Sequence, residues 1–475
     1  MKLAPLSINR SIFREYDIRG IAGRDISPEF ARRLGFAYCS FIASKMNKPL
    51  GEMRVSVGRD CRLSSDDYAD ALISSLTACG VRVLDLGVCP TPLTYFSVFH
   101  LALDGGIMIT GSHNPGDYNG FKICVGKDTL HGHDIQELRG LIETNERPEE
   151  AAGSIEKFAV IPAYTDHLVQ NARRVRPLKV VLDAGNGTAS TVAPHLFERL
   201  GATVIPLFCE LDGRFPNHHP DPTVPANLKD LVAAVKSHRA DFGVAFDGDS
   251  DRIGLVDETG RIIYGDELMV LLSRDVLRER PGATIISEVK SSHRLYSDIA
   301  AHGGKPLMWK TGHSLIKSKM KETGAALAGE MSGHIFFADR YFGFDDAIYA
   351  ALRVYEIAGA HPGGVSELLA DLPPSVSTPE IRVDCVEEKK FALVDAAKRL
   401  LSPGRKVTDI DGVRIDFGDS WGLIRASNTQ PVLVLRFEAP SEGRLEEIRA
   451  LFLEQLQNAA SEVGHPRIDL ASAAH

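Results

Sequence analysis

Two short segments carry side chains suited to chemistry on a phosphate. Residues 110–115 read Thr-Gly-Ser-His-Asn-Pro, so Ser112 stands between a glycine and a histidine with Pro115 and Gly116 close behind. A lone serine hydroxyl is a weak nucleophile and needs a base, a metal or a prior modification. Residues 247–252 read Asp-Gly-Asp-Ser-Asp-Arg, which sets Asp247, Asp249 and Asp251 at alternate positions. Carboxylate oxygens suit a hard cation such as Mg2+, which takes few protein ligands and completes its shell with phosphate or water. A serine and an acidic triplet in one chain point to phosphoryl transfer. Each has a plainer reading. Ser, His and Asn also cap helices, and three aspartates also make a solvated turn. The triplet matches the first, third and fifth ligands of an EF-hand, with Glu258 at the twelfth, but Arg252 fills the sixth position where that loop needs glycine. Residues 241–246 and 253–256 read as strands, whereas an EF-hand needs helices.

Three further segments add donors and charge. Residues 119–122, Asn-Gly-Phe-Lys, bring the cation of Lys122 close behind the serine segment. Residues 425–431, Arg-Ala-Ser-Asn-Thr-Gln-Pro, offer a guanidinium, two hydroxyls and an amide, the donors that grip a phosphate, although a plain polar hairpin has the same composition. Residues 329–334 read Gly-Glu-Met-Ser-Gly-His, near a Lys-Thr-Gly-His-Ser stretch at 310–314. In an extended segment Glu330 and Ser332 share a face and suit vicinal sugar hydroxyls; a glycine-rich turn is the alternative.

The elements that must position these groups repeat. A β-branched run, a polar turn, a helix and a second strand occur at 54–58, 66–79 and 81–84. They recur at 179–182, with a turn at 183–187 and a helix to Leu200, then 202–205. They recur again at 283–286, with a loop at 287–292 and a helix to His302, then 305–308. Gly80, Gly201 and Gly303 close the three helices. Strands alternating with helices predict α/β layers, here in three related domains. Residues 105–109 read as a buried strand leading into Ser112, and open α/β sheets place chemistry at such strand ends. The last hundred residues differ. Strands at 381–384, 409–417, 421–426 and 432–438 with helices at 387–401 and 444–463 predict α+β. Pro373 and Pro374 mark the linker before them, and residues 464–475 are expected to fray.

The chain of 475 residues exceeds one core, and domains of ~100–200 residues give three or four. With 44% hydrophobic and 25% charged residues it reads as globular. A net charge of −9 without a basic tract argues against nucleic acid. The first twenty residues lack a signal-like apolar core, and no apolar run reaches the ~20 residues that span a bilayer. Seven scattered cysteines without a CxxC pair imply reduced thiols and a cytoplasmic protein.

Taken in order with residues 13–20, Phe-Arg-Glu-Tyr-Asp-Ile-Arg-Gly, these motifs resemble those of the α-D-phosphohexomutases, in particular the bacterial phosphomannomutase/phosphoglucomutase branch, over essentially the whole chain. The resemblance implies three mixed α/β domains (1–157, 158–260 and 261–372) and an α+β domain (373–475) around a central active-site cleft, each giving one loop, with the last domain closing over substrate. It implies reversible interconversion of hexose 1-phosphate and hexose 6-phosphate, of mannose and glucose, by a monomer. A hexose 1,6-bisphosphate would be both intermediate and activator. Ser112 would be the phosphoserine and would bind Mg2+ together with Asp247, Asp249 and Asp251. Arg19, Lys122, Arg252 and His313 would stabilise charge and handle protons. Tyr16, Lys290, Glu330, Ser332, His334, Arg425, Ser427, Asn428 and Thr429 would hold substrate. Ser250 departs from the glycine usual in the metal loop, which implies slightly altered loop geometry with metal binding kept. Met331 fits the mannose/glucose branch better than the phosphoglucosamine branch, which usually has Gln there. Phosphoglucosamine mutase remains the alternative, followed by a metal-dependent sugar phosphatase using Ser112 and water.

Overall fold

The structure, a computed structural model, describes residues 3–427 and 430–468. Four sheets follow one another along the chain. In the first, Gly105–Ile109, Arg54–Arg59 and Arg82–Val88 run parallel, and Tyr118–Val125 returns antiparallel beside Gly105–Ile109. The second repeats this with Phe242–Phe246, Lys179–Asp183 and Thr203–Leu207 parallel and Ile253–Asp257 antiparallel. The third repeats it again with Leu327–Gly329, Thr284–Glu288 and Lys305–Trp309, then Ile335–Phe337. All five residues of Gly105–Ile109, and all five of Phe242–Phe246, are buried, as expected of strands covered on both faces. The serine segment, the acidic triplet and the Glu330 segment therefore share one topological place, between the third parallel strand and its antiparallel return.

The expected helix-closing glycines have φ of +90°, +90° and +77° at Gly80, Gly201 and Gly303. The second sheet runs past residue 260, because Ile262–Ile263 pairs with Ile253–Asp257. The fourth sheet is antiparallel throughout, built on Val432–Ala439, Trp421–Ala426, Val413–Asp416 and Lys406–Thr408 and covered by Lys390–Leu401 and Glu442–Glu462. The expected strand at 409–417 is shorter, because Gly412 turns the chain at φ +81° before Val413. The expected helix at 387–401 begins with a 3-10 turn, Glu387–Lys389. A helix that the sequence reading passed over, Pro28–Met46, starts under an Ser27 cap whose side chain accepts from the Phe30 amide, with Pro28 at its first position.

One apolar core runs through the second and third units and takes in Leu84, Leu86 and Phe96 of the first. The fourth unit has its own core around Leu393, Leu435, Phe437 and Phe452. It meets the third through a small patch of Val289, Trp421 and Leu423. Around this patch Arg414 donates to the carbonyls of Val289 and Ser291, and Arg436 to that of Lys290. A small, polar interface of this kind permits relative motion. Among the described residues no helix is long and apolar enough to cross a membrane.

Candidate active site

Ser112 is 2% exposed and adopts φ +49°, a conformation L-residues rarely take. Its Oγ donates to Asp247 Oδ2 at 2.9 Å and lies 3.2 Å from His113 Nδ1. The serine and the acidic triplet, 135 positions apart, thus meet directly. Asp247, Asp249 and Asp251 are fully buried, with ligand atoms within 4.8 Å of one another. The triplet curls around Asp247, whose Oδ1 accepts from the amides of Asp251 and Arg252 at 3.0 and 3.1 Å. Asp249 Oδ1 and Asp251 Oδ1 are buried with no hydrogen-bond partner among the described residues. Such orphaned carboxylate oxygens carry a large desolvation cost unless a cation takes them, and an all-oxygen donor set fits a hard divalent ion. Burial, reinforced by Asp249 and Asp251, holds the Asp247 carboxyl well above its usual range. Burial acts the same way on Asp249 and Asp251, but Lys122, joined by the Thr91 hydroxyl at Asp249 and by Arg252 and Lys317 at Asp251, more than offsets it and holds both below the usual range. Lys122 Nζ donates to Asp249 Oδ2 at 2.7 Å and to Asp251 Oδ2. Burial lowers the lysine and the two carboxylates raise it further, so it stays an ammonium.

Ser250, the departure from the expected glycine, sits at φ +65°, the left-handed region glycine favours. Its hydroxyl lies 3.1 Å from Thr188 Oγ1 on the neighbouring loop, a contact glycine would lack.

Next to the triplet, Arg252 Nε donates to His334 Nε2 at 3.0 Å, which puts the ring proton on Nδ1. The His313 and His334 rings stack at 5.5 Å, and Tyr16 meets His313 edge-on at 5.5 Å. Burial first, then the cations Lys317 and Arg252, hold both imidazoles well below their ordinary range, so both are neutral near pH 7. Asp345, which the sequence reading missed, faces both rings: its Oδ2 lies 3.6 Å from His313 Nδ1 and 3.5 Å from His334 Nδ1. Its other oxygen takes Lys317 Nζ at 2.9 Å. Arg19 donates to Asn114 Oδ1 at 2.7 Å and to the Gly111 carbonyl at 3.2 Å, on the serine loop.

The remaining groups line the path to the fourth unit. Glu330 is 3% exposed, and its Oε1 accepts from the Gly312 amide at 2.7 Å. Burial, then Glu288, push it up to about 8. Ser332 is half-buried on the same turn. Lys290 Nζ donates to Glu380 Oε2 at 2.9 Å, and that lysine pulls Glu380 down to about 2. Arg425 Nε donates to Asp411 Oδ2 at 3.0 Å, and the same oxygen accepts from the Thr311 amide at 3.0 Å. Tyr16 in turn donates to the Thr311 carbonyl at 2.9 Å. Ser427 is buried beside Arg425, whereas Asn428 and Thr429 lie outside the described residues. A continuous run of contacts therefore joins Ser112 through the triplet, His334, His313, Tyr16, Thr311 and Asp411 to Arg425, with all four units contributing. Asp411, Glu380 and Asp345 are acidic counterparts that sequence spacing does not single out.

Four family models match in series. They are described as the phosphoglucomutase/phosphomannomutase alpha/beta/alpha domains I, II and III, at residues 10–149, 162–260 and 264–376, and the C-terminal domain at 380–455. A phosphomannomutase/phosphoglucomutase of Pseudomonas aeruginosa is 50% identical over 457 residues, covering 96% of this chain and 97% of that protein. A phosphoglucomutase of Neisseria gonorrhoeae is 46% identical over 450 residues, covering 94% and 96%. A crystal structure of a phosphoglucomutase/phosphomannomutase family protein from Burkholderia thailandensis superposes with a TM-score of 0.89 at 43% identity, covering 95% of this chain and 98% of that one.

Proposed function

The chain belongs to the phosphoglucomutase/phosphomannomutase family of the α-D-phosphohexomutases, an isomerase family, and from that premise we propose that it interconverts the 1- and 6-phosphates of glucose and mannose through a phosphoryl group carried on Ser112. The observation that carries this reading is the buried hydroxyl of Ser112, hydrogen bonded to Asp247 in a triplet with two orphaned carboxylate oxygens.

The residues divide the work by position. Phosphorylated Ser112 faces the free hydroxyl of a bound hexose phosphate. A hydroxyl that attacks phosphorus must lose its proton, and His313, neutral near pH 7, accepts it, with Asp345 beside its ring to stabilise the charge, while His334, whose Nε2 is taken by Arg252, holds substrate. Lys122, Arg252 and Arg19 spread positive charge around the transferring group, which is most of what such catalysis needs. Mg2+, held by Asp247, Asp249, Asp251 and the serine-borne phosphate, offsets further negative charge when bound. Arg425, Ser427, Asn428 and Thr429, with Lys290, grip the phosphate that is not reacting. Glu330 and Ser332 hold sugar hydroxyls common to glucose and mannose. The resulting hexose 1,6-bisphosphate turns within the site and returns its other phosphate to Ser112, and added bisphosphate recharges the enzyme as activator. We read the protein as a cytoplasmic monomer. A phosphatase handling one phosphate has no use for a second clamp around Arg425, so the mutase reading fits the geometry better.

Ser112→Ala tests this directly. It is expected to lose nearly all conversion of glucose 1-phosphate to glucose 6-phosphate in a coupled assay while still binding the sugar phosphate. Retained turnover contradicts the serine assignment. The same assay with mannose and glucosamine 1-phosphates checks substrate range, with mannose expected to be turned over and glucosamine poorly.

A further inference from the structure

We propose that Arg62 is a positioning residue for phosphoryl transfer, its guanidinium fixing the backbone of residues 111–118 in the shape that aims Ser112 at the acidic triplet. The proposal rests on Ser112 being the phosphoryl carrier. Arg62 is 3% exposed, and all five of its side-chain N–H donors are used. Nη2 donates to the carbonyls of Ser112 and Asn114 at 2.7 and 2.6 Å. Nη1 donates to the carbonyl of Tyr118 at 3.0 Å and to that of Pro115. Nε donates to Asp60 Oδ2 at 3.0 Å.

Four carbonyl oxygens of one loop thus converge on a single buried cation. Carbonyl dipoles crowded together repel one another, and only a planar fork of donors satisfies them all at once. The partner is equally built in. Asp60 is 2% exposed; its Oδ2 also accepts from the Gly111 amide at 3.1 Å, and its Oδ1 from the Arg62 amide at 3.0 Å and Ser65 Oγ at 2.6 Å. Phe215, from the second unit, lays its ring 5.1 Å from the guanidinium carbon. Residue 111 must be glycine for this packing, because a Cβ there would lie 2.4 Å from that carbon.

The consequence falls on Ser112. A non-glycine residue at φ +49° persists only where its surroundings over-determine it. Arg62 holds the peptide unit after it, and Asp60 the amide of Gly111 just before it. Arg62 touches neither the serine hydroxyl nor the substrate-holding groups Lys290, Glu330 and Arg425, so its effect on the reaction passes through the loop alone.

Arg62→Lys keeps the charge but offers three donors from one point. The kcat for glucose 1-phosphate is expected to fall roughly a hundredfold, the cost of an ångström-scale misplacement. KM is expected to stay within about twofold, since ground-state binding groups are untouched. Asp60→Asn, nearly isosteric, should show the same split more weakly, and Lys406→Ala, on the exposed edge of the fourth unit, should change neither constant. A folded Arg62→Lys enzyme with wild-type kcat, or a KM that rises in step with the loss of kcat, overturns the proposal. Failure of both site variants to fold assigns Arg62 to stability alone and overturns it too. Ser112→Ala run alongside separates the two claims: if it is active, the serine reading fails, and if it is inactive while Arg62→Lys is normal, only the role of Arg62 fails.

Discussion

Glu330 is a carboxyl group kept protonated where a free one would ionise. Its unfolded counterpart titrates near 4.5, whereas the folded group titrates at about 8. Between those values the folded chain holds a proton that unfolding releases, so this group's contribution is full below about 4.5 and is lost as pH rises through about 8. The thermal midpoint of the ligand-free protein is therefore expected to fall across that window. Glu330→Gln, neutral at every pH, should flatten that part of the profile, and an unchanged slope in the variant contradicts the assignment. Glu330, Ser112 and the aspartate triplet were legible in the sequence because their chemistry is local: the telling neighbours lie within six residues. Asp345 was not. It stands beside Asp346, which caps the helix Ala347–Ala360 by accepting from the Tyr349 amide, and a cap explains an aspartate pair without any reference to histidines. Arg62 was hidden for a different reason, since its partners at Ser112, Asn114, Pro115 and Tyr118 are some fifty positions away.

At the scale of elements, the strand Trp421–Ala426 does two jobs. Its first residue docks the fourth unit: the Arg414 guanidinium lies 3.6 Å from the Trp421 ring centroid and donates across to the third unit. Its fifth residue, Arg425, belongs to the proposed phosphate clamp. Arg414→Ala orphans the Val289 and Ser291 carbonyls and loosens the docking, at a cost of ~1–3 kcal/mol for each unsatisfied group. KM for glucose 1-phosphate is expected to rise several-fold with a smaller change in kcat, and steady-state kinetics showing an unchanged KM would break the link between docking and clamp. The repeated strand–helix–strand units were readable because β-branched runs, polar turns and closing glycines are local signals. The helix Pro28–Met46 was not, because residues 33–39 are buried in one unbroken run and interrupt the polar stripe of Glu29, Arg32, Ser40 and Ser44 that would mark a surface helix.

For the whole molecule, three sheets of one topology bring three equivalent loops together, and a fourth unit of different construction adds the loop of Arg425. The shared core of the second and third units makes a firm base, while the fourth is held by a small patch. That division suits the proposed retention of a sugar bisphosphate while it turns, followed by release of product. A chain of net charge −9 collects Lys122, Arg252, Arg19, Lys290 and Arg425 around that site, against its average field. The four-unit plan was legible because alternating strands and helices give way to hairpin strands at the fourth unit; the closeness of Ser112 to Asp247 came only from the family resemblance, because pairing between units leaves no local trace. The most direct measurement follows the phosphoryl group itself. The enzyme is charged on Ser112 from radiolabelled hexose 1,6-bisphosphate, mixed rapidly with unlabelled glucose 1-phosphate and quenched. The label is expected to leave the serine within one turnover, passing into hexose bisphosphate and then hexose 6-phosphate. Label that stays on the protein through many turnovers, or leaves as inorganic phosphate, contradicts the mutase reading.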